Sequence, residues 1–272
     1  MILFQSCTLI TLEDVVMKIL VTGANGFVGR YIMKAVPGAE PVTNLRDRKE
    51  DIRSIFEDAG YIIHTAAISD TQICEKNPDE SYEANVLLPV AIAKAAPRAK
   101  LICFSSDQVY NASQHDGPYL EGMECPGSVY ARHKLEMEQR VLDINPGAVM
   151  LRLTWMFDMN HGYAPMILSE EKNIAVPEQY RGITWVREVA DNIEKTFALP
   201  GGSYNFGSEN EMPMPLFALT ALAFLGRSKA VITENSRHNL WMNTKKAQEF
   251  GVAFSSSIEG FKKCVSTASE ER

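Results

Sequence analysis

The stretch Gly23-Ala-Asn25-Gly26-Phe27-Val28-Gly29 constrains this chain more than any other, because of what flanks it. Before it runs Lys18–Thr22 (KILVT), continuously apolar in the manner of a strand covered on both faces. After it, Val28–Val36 has the spacing of a helix and stops at Pro37-Gly38. A glycine turn joining strand to helix is where a dinucleotide pyrophosphate is held. One glycine permits the tight turn, another lets the backbone approach the phosphates, and the last lets helix and sheet pack closely. The helix N-terminus then meets the phosphate charge. The glycines alone would be weak; their place in a strand–turn–helix unit argues against an incidental loop.

The alternation continues along the chain. Apolar, β-branched runs at Glu40–Asn44, Tyr61–Ala67, Lys100–Ser106 and Ala148–Trp155 read as strands. Helical patterns lie between them, around Ile52–Ala59, Glu80–Ala96 and Tyr130–Leu142. Strands separated by helix-length crossovers imply an α/β fold, a Rossmann-type doubly wound parallel sheet. Beyond Trp155 the pattern loosens: a loop region to about Gly182, a helix near Arg187–Ala198, a strand near Ser203–Gly207, and helices near Pro215–Leu225 and Thr244–Phe250. The expected organisation is an extension of unassigned role (1–16), a dinucleotide-binding domain (17–155), and a smaller substrate-binding lobe (156–272). Some segments of that lobe are free to return to the sheet. Residues 1–16 lack a basic leader and a small-residue cleavage site, so a signal peptide is not expected.

A net charge of -7 supplies no basic field for nucleic acid or an anionic membrane. The longest apolar runs, such as Leu216–Leu225, are too short to span a bilayer. Five cysteines with no CxxC pair read as reduced thiols in a cytoplasmic protein, and no metal site is expected.

Chemistry enters with Tyr130 and Lys134, which share a helix face four residues apart. Of nine tyrosines, Tyr130 alone has lysine at that spacing. A free phenol titrates near 10, and a neighbouring ammonium favours the phenolate. Tyr130 is therefore a candidate general acid with Lys134 tuning it. Ser106 stands at the carboxyl end of a strand, where open α/β sheets place ligands, and is placed to orient a reacting carbonyl. Read singly, the pair is a surface contact and the serine a cap; their chain order after the glycine turn is what carries the reading. For the dinucleotide, Arg46, with Arg48 and Arg30 nearby, offers a guanidinium to a 2′-phosphate, which leans towards NADPH over NADH. A solvated charge run is an equal reading of that cluster.

The glycine spacing with Thr22 before it, Ser106, and Tyr130-x-x-x-Lys134 together resemble the extended branch of the short-chain dehydrogenase/reductase superfamily. That resemblance implies further cofactor contacts at Asp51 and Ile52 (adenine), at Ala66 and Ala67 after the third strand, and at Asn85. Gly117–Glu136, Arg152–Phe157, Ile183–Asp191 and Tyr204–Gly207 look like the dTDP-4-dehydrorhamnose reductase family. Family membership would imply hydride transfer from NADPH or NADH to C4 of a nucleotide-linked 4-keto-6-deoxy sugar, with Asp107 and Trp155 beside the sugar. Arg187 is put forward for the substrate's diphosphate. Three departures stand out: Ser106-Asp-Gln108 where relatives have Thr-Asp-Tyr, Ala131 for glycine, and His133 for serine. The resemblance would put Gln108 beside the sugar, a departure that leaves the sugar's identity open; Gln108 also argues against a dehydratase, whose family carries an Asp-Glu pair. Other readings are a different nucleotide-sugar reductase or epimerase of this branch, or a non-catalytic NADP-binding regulatory subunit like that of methionine adenosyltransferase. The sequence does not disclose oligomeric state and leaves a homodimer open.

Overall fold

Lys18–Thr22 forms β1, and its last three residues are buried, as a strand covered on both faces requires. The computed structural model describes residues 17–45, 52–235 and 239–270. From β1 the chain winds through α1 (Phe27–Ala35), β2 (Ala39–Val42), α2 (Ile52–Phe56), β3 (Ala59–His64), α3 (Thr71–Lys76) and α4 (Pro78–Tyr82). A wide turn at Glu83–Leu87 joins α4 to α5 (Leu88–Ala95), with the Leu88 amide reaching back to the Glu83 carbonyl. Pro89 explains the interruption of the helix expected over Glu80–Ala96: it has no N–H to continue the regular ladder. Then follow β4 (Lys100–Ser106), a 3-10 turn at Asp107–Tyr110, α6 (Val129–Ile144) and β5 (Val149–Leu153).

The strand expected over Ala148–Trp155 is in fact two. Thr154 breaks it, sharing a hydrogen bond with Thr184 at 2.5 Å, and the chain turns off the main sheet. β6 (Trp155–Phe157) is followed by α7 (Tyr163–Leu168), β7 (Asn173–Pro177) and β8 (Ile183–Trp185). The stretch to Gly182 thus holds a helix and a strand where the sequence pattern indicated only loop. After α8 (Val186–Asn192) and a 3-10 turn, β9 (Gly202–Phe206) precedes α9 (Met214–Phe224), β10 (Ala230–Glu234), α10 (Lys245–Gln248) and α11 (Ser257–Glu270). The helical pattern at Thr244–Phe250 is therefore not the last: α11 lies beyond it.

The main sheet is six-stranded, in the order β2-β1-β3-β4-β5-β9, and every pair in it is parallel. Its sixth strand comes from the 156–272 portion. Growth of the sheet reverses between β1 and β3, the switch point at which such sheets bind ligands beyond their carboxyl ends. Alternate residues of each strand feed two cores. Leu20, Ile62, Leu101 and Met150 pack under α5 and α6, whereas Val21, Ile63, Ile102 and Leu151 pack with Ile32 of α1 and Val189 of α8. A third core, built on Phe157, Tyr163, Phe217 and Phe261, holds the smaller lobe together. β6 pairs with β8 and β7 with β10 in two small sheets of that lobe.

Candidate functional site

Gly23 has a φ of +70°, and a Cβ there would lie 2.7 Å from the Ala66 amide nitrogen. Only glycine lets the end of β1 nest this closely against the chain leaving β3. Gly29 meets the turn itself: a Cβ would come within 2.1 Å of the Gly23 carbonyl oxygen. Gly26 is the N-cap of α1 and caps it with no side chain. The following amides, of Phe27, Val28 and Gly29, have no acceptor inside the helix. They open into a cleft of about 620 Å³ that Gly23, Asn25, Gly26, Phe27, Val28 and Gly29 all line.

The cleft has two ends. One is formed by Val42–Leu45 at the tip of β2 together with Ala84 and Leu88; the other by Phe104, Ser105, Tyr130 and Lys134. Ala66 and Ala67 form part of the wall between them. Ile52 is not a cleft residue; it lines an apolar recess with Leu45, Ala84 and Leu88, which also line the cleft. Asn85 has a different task from contacting a ligand. Its side chain accepts from the Ile68 amide at 3.0 Å and donates to the Ile68 carbonyl at 2.9 Å, pinning the loop after β3. Arg46, Arg48 and Asp51 lie outside the described residues.

α6 starts from Ser128, whose hydroxyl accepts from the Ala131 amide, so Tyr130 and Lys134 lie in its first turns, facing the sheet. Lys134 is buried and donates to the Phe104 carbonyl at 2.7 Å. Its ammonium sits 5.9 Å from the centre of the Tyr130 ring. Burial lowers its pKa to about 8, with Cys103 and Glu138 opposing, so it remains largely charged at neutral pH. Tyr130 departs from the expected tuning. Burial pushes its phenol above the usual value, and the Ser106 hydroxyl works the other way. Desolvation outweighs that hydroxyl and the Arg181 guanidinium, and the phenol stays protonated. Ser106 also donates to Asp107 Oδ1 at 3.2 Å and accepts from the Gln108 amide.

Sequence reasoning missed Arg181. It grips buried Asp107 through two hydrogen bonds, Nε–Oδ2 at 2.9 Å and Nη2–Oδ1 at 3.1 Å. Its guanidinium lies 5.2 Å from the centre of the half-exposed Trp155 ring. Asp107, Trp155 and Arg181 thus form one edge next to Ser106 and Tyr130. Arg187, expected to face the substrate, does not join them. α8 buries Val186, Val189 and Ala190, which turns Arg187 outwards over Trp185, into a separate cavity with Tyr31 and Asp158. Gln108 is held by Asn111 Nδ2 at 3.2 Å. His133, in place of the usual serine, shares a hydrogen bond of 2.9 Å with Ser81.

His64 is a packed residue. It shares a 2.7 Å hydrogen bond with Thr22, and burial lowers its pKa to about 3. The unfolded chain binds this proton below about 6.5, and the folded chain does not until far lower pH. Stability therefore rises with pH between those values. Lowering the pH from 7 to 5.5 should cost about 1.3 kcal/mol through this group alone. Thermal midpoints at the two pH values, for the wild type and for His64→Asn, check it: the variant's pH-dependent drop should be smaller, and equal drops refute it.

Comparison with known proteins adds four observations. A family model described as RmlD substrate binding domain matches residues 17–235. A protein named dTDP-4-dehydrorhamnose reductase from Mycolicibacterium smegmatis is 31% identical over 156 residues, covering 54% of this chain and 48% of that protein. Methionine adenosyltransferase 2 subunit beta from Bos taurus is 32% identical over 160 residues, covering 52% of this chain and 47% of that protein. The chain thus spans about half the length of the curated relatives it matches. Among solved structures, dTDP-4-dehydrorhamnose reductase from Bacillus anthracis in complex with NADP superposes with a TM-score of 0.79 at 20% identity, over 92% of this chain and 98% of that one. No helix among the described residues is long and apolar enough to cross a membrane.

Proposed function

Since this chain belongs to the family described as RmlD substrate binding domain, we propose that it is an NAD(P)H-dependent reductase. Its substrate on this reading is the C4 keto group of a nucleotide-linked 4-keto-6-deoxy sugar, as in dTDP-L-rhamnose synthesis. The observation that carries the proposal is that Tyr130 and Lys134 wall the same cleft that the glycine turn lines. The donor set fits a dinucleotide: uncapped helix amides for the pyrophosphate, an apolar end for adenine, and Lys134 for a ribose hydroxyl. NADPH is the proposed form, supported by the NADP complex of the Bacillus anthracis structure. When bound, it would supply the hydride to the carbonyl carbon.

The chain's own part is proton transfer and orientation. Ser106 holds the carbonyl oxygen by hydrogen bonding. Tyr130, kept protonated by burial, gives its proton to that oxygen as negative charge develops there, so that carbonyl, hydride and proton yield the alcohol. The Lys134 ammonium and the Ser106 hydroxyl offset the phenolate left behind. Trp155 presents a flat apolar face to the sugar. Arg181 replaces Arg187 as the proposed cation for the diphosphate, because it is the arginine at this edge. A cytoplasmic, homodimeric enzyme completes the proposal.

The relatives named as a methionine adenosyltransferase subunit favour a second reading, a non-catalytic dinucleotide-binding partner of another enzyme. One experiment separates the two. Purified chain with NADPH, then NADH, is offered dTDP- and UDP-linked 4-keto-6-deoxy sugars while absorbance at the nicotinamide band is followed. Oxidation with a dTDP sugar is expected. Tight NADPH binding without oxidation across the panel would sink the reductase reading.

A further inference from the structure

Behind the catalytic side chains lies a row of buried polar residues that the reaction itself does not use. Ser105 of β4 stands in register with Arg152 of β5, and Arg152 with Asn205 of β9. α6 sets Glu138 over this row. Tyr130, Lys134 and Glu138 recur every four residues, so they follow one face of that helix. Glu138 Oε1 accepts from the Ser105 hydroxyl at 2.5 Å and Oε2 from the Ser203 hydroxyl at 2.8 Å. Arg152 clamps the same carboxylate through Nε at 3.0 Å and Nη2 at 2.6 Å. Its other amino group reaches Tyr110 at 2.8 Å and pairs with Glu124. Tyr110 in turn donates to Asn205 at 2.8 Å.

We propose that Glu138 is a positioning residue for the reductase site, fixing α6 to the Ser105–Ser106 strand end and supplying negative charge that supports buried Lys134. Building on the reductase reading, it gives this carboxylate a task beyond holding the sheet together. The geometry joins the two halves of the catalytic set. One carboxylate touches the residue before Ser106 and sits one helical turn from Lys134, so α6 cannot slide along β4 without breaking the Ser105 bond. The charges agree. Glu138 and Glu124 share the single guanidinium of Arg152, with Glu121 on the Asn205 amide and Lys246 on the Ser203 carbonyl at the margin of the cluster. Lys134 itself donates to a neutral carbonyl. Around Lys134 stand Cys103 of β4, Cys74 of α3, neutral His64 of β3, and Tyr130 and Glu138 of its own helix. Of these Glu138 is the carboxylate.

Two full-length variants test this. Glu138→Gln keeps the shape and loses the charge; Ser105→Ala keeps the charge and loses the strut. The readouts are kcat and KM with NADPH and a 4-keto sugar from pH 6 to 9.5, and NADPH affinity by fluorescence over the same range. For Glu138→Gln, the alkaline limb of kcat and of affinity should move about one pH unit towards acid, roughly a fivefold loss at pH 8 that approaches tenfold by pH 9.5 and is largely recovered near pH 6.5. For Ser105→Ala, the limb should stay while kcat falls roughly three- to tenfold at unchanged KM. A folded Glu138→Gln whose limbs coincide with those of the wild type overturns the charge role, and an undiminished kcat in Ser105→Ala overturns the strut. Should Glu138→Gln not fold, Ser105→Ala decides the strut, and Glu138→Asp, which keeps the charge, should keep the wild-type limb; a limb moved towards acid in it overturns the charge role. If the wild type reduces no sugar, the reductase reading fails, and the affinity limb still tests Glu138.

Discussion

Tyr130→Phe is expected to lower kcat by about a thousandfold while leaving the NADPH dissociation constant within about threefold of the wild type. General acid catalysis is worth roughly 10² to 10⁴ in rate, and removing the hydroxyl removes the whole of it. The ring is buried and stays in place, so no cavity forms. The lost group's hydrogen bonding is to Ser106, which retains Asp107 and the Gln108 amide as partners. Stability should therefore change little, and affinity rests on the glycine turn and Lys134. Steady-state kinetics beside a fluorescence titration check both halves. A variant retaining a tenth or more of wild-type kcat would remove Tyr130 from the role of proton donor. One that no longer binds NADPH would place Tyr130 chiefly in cofactor binding.

The direction of the Tyr130 shift also bears on how such a site works. From sequence the pair reads as an ammonium making a phenol more acidic. In the folded protein burial dominates, and the phenol holds its proton more firmly. For a reduction this is the useful state. On the proposed mechanism the proton would be present when the oxygen needs it, and the charge left on Tyr130 would be met by groups already in place, Ser106 and Lys134.

What was legible in the sequence follows from how local its causes are. β1, the glycine turn and α1 are set by neighbouring residues, and the alternation of strands and helices announces the sheet. Ser106, Tyr130 and Lys134 sit on elements whose order in the chain is itself a pattern. Arg181 carried no such signal. Its place is set by Asp107, 74 residues away, and by a bridge to Leu240, pairings that no local spacing encodes. Nor does local spacing show which face of α8 is buried, and it is the burial of Val186, Val189 and Ala190 that turns Arg187 away from the site. The break at Thr154 was hidden for a similar reason: an apolar run continues through it, and its cause is a hydroxyl contact with Thr184, 30 residues on. The row Ser105–Arg152–Asn205 exists only once the strands are in register.

The glycine turn supports the second large prediction, one that does not depend on any substrate. Gly29→Ala is expected to destabilise the fold by about 3 kcal/mol and to weaken NADPH binding about a hundredfold. The added methyl would lie 2.1 Å from the Gly23 carbonyl oxygen and 2.8 Å from Ala24 Cα. Both are backbone atoms, so no side-chain rotation relieves the clash, and overpacking of this kind costs 1–3 kcal/mol or more. The relief open to the chain is to lift the start of α1 away from the end of β1. For a chain of 272 residues, a loss of that size lowers the thermal midpoint by roughly 6–12 °C. Lifting α1 also turns its uncapped amides, Phe27 to Gly29, away from the cleft. Each hydrogen bond to a charged phosphate oxygen contributes about 1.5–3 kcal/mol, so losing one or two accounts for a hundredfold, which is about 2.7 kcal/mol. Calorimetry and a binding titration on the same sample separate the two effects. A Gly29→Ala protein with the wild-type midpoint would mean that helix and turn can part without cost, contrary to the packing described. One that is destabilised but binds NADPH as tightly as the wild type would remove the helix amides from phosphate recognition.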